Sequence, residues 1–161
     1  MPTLHSQFAA KGRQLDGSEI DIPAPIVLVR RGPCVQVSIT IAEQIATQLL
    51  QQGKAIEPPV SGLALIDTGA STSCIDEAAA QKLKLPIVNV VMLASASHAA
   101  TASNVYPVRL ELTGLPISIN APSAIGAPLA AQGLIALIGR DVLRHCTLFY
   151  NGMAGEITLS I

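Results

Sequence analysis

A period of two runs through this chain and limits what it can fold into. Val35, Val37, Ile39 and Ile41 are apolar, and Gln36, Ser38 and Thr40 between them are polar. Val108, Leu110 and Leu112 alternate in the same way with Arg109, Glu111 and Thr113. Ile157, Leu159 and Ile161 alternate with Glu156, Thr158 and Ser160. Successive strand side chains point to opposite faces, so each run reads as a strand with one face on a core. Shorter apolar runs at 26–29, 63–66, 87–93, 116–119, 134–138 and 147–150 read as further strands.

The period lengthens after residue 41. Ala42, Ile45, Ala46, Leu49 and Leu50 fall at helical spacing. Thr40 and Glu43 have the spacing of a capping box, and Gly53 is a natural stop. Asp76 is placed to cap a short helix running to Leu83, closed off by Pro86, and 140–146 has room for one or two helical turns. The sum is about nine short strands with two or three short helices and no alternating βαβ rhythm. The expected fold is mainly β, an antiparallel barrel. Residues 1–32 carry little periodicity and read as an N-terminal arm or added edge strand, and 33–161 as the domain proper.

The bulk properties exclude several functions. A net charge of −1, with Arg30-Arg31 as an isolated basic pair, leaves no electrostatic footprint for nucleic acid. The apolar stretch 121–138 is interrupted by Pro122, Gly126, Pro128, Gln132 and Gly133, so no membrane span is expected. The N-terminus has no basic head followed by an apolar run, so no secretory signal is expected either. Cys34, Cys74 and Cys146 are wrongly spaced for a disulfide framework or a zinc site, which points to the cytoplasm.

The chemistry concentrates at Leu65-Ile66-Asp67-Thr68-Gly69-Ala70-Ser71. An apolar strand drives into the core and then delivers a carboxylate, a placement that requires hydrogen bonds or a partner. Gly69 permits a sharp turn that exposes amides toward the acid. Alone, Asp-Thr-Gly would better suit a surface turn held by an Asx-type hydrogen bond. The context argues otherwise. Leu137-Ile138-Gly139-Arg140-Asp141-Val142-Leu143 supplies a second signal downstream, and an alternating strand ends the chain.

Together these motifs resemble the retropepsin-type aspartic proteases, the retroviral proteases and their single-domain relatives. The resemblance spans about 33–161. It implies an acid-protease barrel in which Asp67 is the catalytic aspartate and Thr68 braces the active-site loops across a dimer axis. Gly69 is the loop glycine, and Ala70 and Ser71 flank the substrate groove. Ile138 and Gly139 cross behind the loop, and Arg140 and Asp141 open the short helix and tie the subunits or the barrel together. An ordinary helix-start ion pair would suit the last two equally well. The chain has one Asp-Thr-Gly, and the implied mechanism needs two carboxylates sharing a proton around one water. The resemblance therefore implies a homodimer acting on a peptide or protein substrate, without metal or cofactor. The strand 157–161 is the candidate intersubunit strand. The flap falls near 93–106, with His98 near its middle, but is built of Ala, Ser and Thr where the family favours glycine. That departure keeps an alternative open: a catalytically weak dimer that captures peptides or supports assembly.

Overall fold

The computed structural model describes residues 2–95, 98–116 and 118–161, with the backbone alone over 93–100. The described elements run β1 (Thr3–Gln7), β2 (Ala10–Arg13), β3 (Glu19–Ile22), α1 (Ala24–Arg31), β4 (Cys34–Ile41), α2 (Glu43–Gln51), β5 (Val60–Ile66), β6 (Cys74–Asp76) and α3 (Glu77–Lys82). They continue β7 (Asn89–Ser95), β8 (His98–Leu112), β9 (Ser118–Ala127), β10 (Leu134–Ile138), α4 (Arg140–Leu143), β11 (Thr147–Asn151) and β12 (Glu156–Ser160). A 3-10 turn at Ala130–Gln132 precedes β10.

Six strands close a barrel in the order β4-β5-β10-β6-β9-β8, and β8 pairs back onto β4 through registers such as Ile39↔Leu110. The alternating runs face inward as their period requires. Val37, Ile39, Val108, Leu110 and Leu112 are all buried in one core with Ile66, Ile138, Ile157 and Leu159. Two neighbour pairs in the barrel are parallel, β5 with β10 and β6 with β9, and the others are antiparallel. A second sheet, β1-β12-β11, packs on the barrel, and β2 and β3 form a separate hairpin.

Several local expectations are corrected. Residues 26–29 are helical, within α1. Pro25 lies in the first turn, Arg30 and Arg31 stand at the C-terminal end, and Gly32 stops the helix at φ 71 with its N–H bonded to Leu28 O. These end signals override the β-branched run. Val27 and Leu28 are buried while Ile26 and Val29 are exposed. Thr40 is no helix cap, because β4 continues to Ile41 by pairing with Val108; the Thr40 hydroxyl donates to Arg109 O. The N-cap of α2 is Ala42, without a side-chain cap. Asp76 precedes α3, yet its carboxylate turns away and accepts the Leu129 and Ala130 amides, both at 2.9 Å. The stretch 118–127, only its first two residues read as strand, is the ten-residue β9. Finally, β12 has β1 on one side and β11 on the other, so it is no free edge for joining two copies.

Candidate active site

Parallel pairing of β5 with β10 places their C-terminal ends side by side, Ile66 against Ile138. Asp67 continues that ladder, its N–H donating to Ile138 O at 2.9 Å. The chain then turns. The Gly69 and Ala70 amides donate to Asp67 Oδ1 at 2.8 and 3.2 Å, so the acid is held by its own loop. A Cβ on Gly69 would lie 3.1 Å from that oxygen, which explains glycine at the tightest point. Asp67 is half-exposed, which corrects the expectation of a buried acid: its loop sits on the barrel's rim.

The segment after β10 grips this loop from behind. The Arg140 N–H donates to Ala70 O, and the Asp141 N–H to Ser71 O. Arg140 Nη1 donates to Thr68 O at 2.7 Å and Gly69 O at 2.8 Å. Asp141 accepts the Ser73 hydroxyl at 2.7 Å and the Ser73 and Val142 amides. The Gly139 N–H donates to Ser73 Oγ at 3.0 Å. Arg140 and Asp141 thus do not pair with each other; each holds a different stretch of the 67–73 loop. Fully buried Ser73 joins the two segments, and the sequence reading missed it. Its signal is a hydroxyl residue standing directly before the apolar Cys74-Ile75 pair.

Ile138 is buried behind the loop, and Gly139 touches it. Thr68 and Ser71 are exposed, and among the described residues the Thr68 hydroxyl has no hydrogen-bond partner. Behind the loop, register places Cys34, Leu65, Leu137, Cys74 and Ile125 in one row across five adjacent strands. They belong to a small second apolar cluster in which only Cys74, Leu129 and Leu134 are fully buried. Burial, with the Asp141 and Asp67 charges adding to it, pushes the Cys74 thiol up to about 11.

The stretch 93–106, where the sequence places a flap, falls within β7 and β8. The side chain of His98 and the residues 96–97 lie outside what the structure describes. Among the described residues, no group of three His, Cys, Asp or Glu is placed to hold a metal. No described helix is long and apolar enough to cross a membrane.

The family model described as aspartyl protease matches residues 57–142, more than half of the chain, from just before β5 to the middle of α4. This chain belongs to the aspartyl protease family. The matched segment contains every residue of the cradle around Asp67. Among solved structures, the chain is similar to a retropepsin-like aspartic protease from Rickettsia conorii. The identity is 15%, the TM-score 0.41, and the match covers 98% of this chain and 92% of that one. A search of curated proteins gave no match.

Proposed function

We propose that this aspartyl protease family member is an endopeptidase that hydrolyses peptide bonds as a homodimer, with one Asp67 from each copy. The observation that carries the reading is the cradle of Asp67. Two backbone amides hold Oδ1, and Arg140 fixes the carbonyls of the loop that supplies them. A carboxylate held on one oxygen by fixed donors keeps its other oxygen for a water. Two such acids close together cannot both ionise; they share a proton and titrate as a pair. The ionised acid takes a proton from the water, which attacks the carbonyl carbon. The protonated acid donates to the carbonyl oxygen.

Three observations support a two-fold axis at this rim. Asp67 is half-exposed in the single chain, and the exposed Thr68 hydroxyl has no partner among the described residues. Among the described residues, the outer strands of the second sheet are β1 and β11, and β11 carries Phe149 and Tyr150, exposed by 60% and 48%. Aromatic side chains on an open strand edge suit a partner's strand better than water. The β7–β8 hairpin closes over the substrate. The compartment proposed is the cytoplasm, in keeping with three unpaired cysteines.

The test is cleavage of a fluorogenic peptide library from about pH 3 to about pH 7, with Asp67→Asn beside wild type. The substitution is expected to keep fold and dimer and to lower turnover at least about a hundredfold, the scale of one acid–base group. A folded, dimeric wild type that cleaves nothing would replace proteolysis by peptide capture.

A further inference from the structure

The β7–β8 hairpin leaves the barrel at one point. Among the described residues, strand β7 pairs with β8 alone, through Asn89↔Val105 to Ser95↔His98. From Val105 β8 also pairs with β9, through Val105↔Ile125 and Tyr106↔Ala124, and from Val108 onward with β4 as well. Just past this root stands Pro107, which has no N–H to give, and the β8–β9 register slips between Tyr106 and Val108. The ladder is weakest where a hinge would be.

A polar cluster sits at that hinge. Tyr106 Oη donates to Glu77 Oε1 at 2.5 Å. Asn104 Nδ2 donates to the same carboxylate oxygen at 3.1 Å and lies 3.2 Å from Tyr106 Oη. Tyr106 is buried, and burial, then Glu77, raises its phenol above the ordinary value, so it remains a donor through neutral pH. Gly126 lies under the cluster, and a Cβ there would collide with Glu77 and come within 2.9 Å of the Tyr106 ring. Glu77 opens α3 immediately after β6, the strand that carries the chain away from the Asp67 loop. The cluster therefore ties the root of the hairpin to the element leaving the active-site loop. A cavity of about 370 Å³, lined in part by Glu77, Asn104, Gly126 and Pro128, leaves room beside it for the root to move.

We propose that Glu77, Tyr106 and Asn104 form a clasp that sets the tilt of the β7–β8 hairpin, making Tyr106 a positioning residue for the hydrolysis assigned to Asp67. The clasp rests on that functional reading for its purpose but not for its geometry. A phenol donating to a carboxylate is a charge-assisted bond, stronger than the neutral bonds of the small-residue hairpin. With the clasp closed, the hairpin has one resting orientation. With it open, the part of the hairpin beyond Val105, which has no pairing to β9, tilts relative to the barrel.

The experiment is amide hydrogen exchange on the full chain, comparing 89–105 with the barrel strands β4 and β10, in wild type, Tyr106→Phe and Glu77→Gln. In Tyr106→Phe, exchange in the hairpin is expected to quicken about tenfold relative to the barrel, the scale of one hydrogen bond to a charged group. Glu77→Gln retains an acceptor for Tyr106 and should fall between. On a cleaved peptide, Tyr106→Phe should raise KM severalfold and leave kcat within about twofold; loss of folded enzyme alone would lower kcat and leave KM unchanged. Hairpin exchange unaltered in both variants, or quickened equally across the barrel, overturns the clasp. Should Tyr106→Phe fail to fold, Glu77→Gln decides by the same ratio. If wild type cleaves no peptide, the proteolytic reading fails, while the exchange ratio still decides whether the clasp exists.

Discussion

Asp141 takes the Ser73 hydroxyl at 2.7 Å and the Ser73 amide on both oxygens at 3.0 Å, across 68 residues of sequence. The same hydroxyl accepts from the Gly139 amide, so it bridges the strand behind the site to the acid that opens α4. Ser73→Ala removes both bonds and leaves a buried N–H unpaired. The expected loss is about 1–3 kcal/mol of stability. Each kcal/mol lowers Tm by about 2–4 °C at this size, which a thermal melt reads directly.

Gly139→Ala should be at least as damaging, for a steric reason. Its Cβ would lie 2.7 Å from the Thr72 carbonyl carbon and 2.9 Å from the Ser73 nitrogen. Both are backbone atoms of the active-site loop and cannot rotate away. Its φ of −87° is open to any residue, so close approach alone requires the glycine here. Overpacking of this kind costs about 1–3 kcal/mol and shifts the loop. Gly62→Ala is the control, since its Cβ would meet the side chain of Ile135 at 2.8 Å, which can turn aside. A melt of Gly139→Ala matching that of Gly62→Ala would refute the assignment.

The alternating strands were legible because their period of two is a local consequence of one buried face, as in 35–41, 108–112 and 157–161. The Asp67 and Gly139 motifs were legible as contiguous strings. What escaped was tertiary. Residues 26–29 look like a strand until Pro25 and Gly32 are given their weight as helix ends. Thr40 resembles a cap until its strand is seen to pair with β8. Ser73 meets Asp141 only when two β–loop units lie side by side. Glu77 meets Tyr106 29 residues away, and no pattern in either segment announces it. Asp67 is less buried than its apolar strand suggests, because the strand is in the core while the loop it feeds is on the rim.

Arg140→Ala separates activity from stability. The side chain is exposed, and its bonds go to the Thr68 and Gly69 carbonyls on either side of the loop's sharpest bend. Exposed hydrogen bonds contribute little to global stability, so Tm should fall less than in Ser73→Ala. The loop that orients Asp67 nevertheless loses its outer brace. Misplacement of a reacting group by about 1 Å can lower rates up to about a hundredfold, so kcat should drop between about tenfold and about a hundredfold. Steady-state kinetics beside a melt would test this, and a loss of Tm as large as that of Ser73→Ala would contradict it.

Cys74 reports on the charge of the site. Burial first, then Asp141 and Asp67, raise its thiol from 9.0 to about 11. The folded state holds this proton more tightly than the unfolded chain, so the native form binds more protons between those two values. The stability linked to Cys74 is therefore complete below about pH 9 and lost as pH rises toward about 11. In Cys74→Ala the alkaline decline of stability should be shallower, as measured by denaturant titration at stepped pH. Iodoacetamide at mildly alkaline pH should modify Cys74 more slowly than Cys34 or Cys146, whose thiols are also raised by burial. Asp67→Asn removes one of the two opposing charges, so it should lower the Cys74 pKa and quicken that alkylation. An unchanged Cys74 rate in Asp67→Asn would show that the Asp67 charge does not reach the thiol and that burial and Asp141 set it.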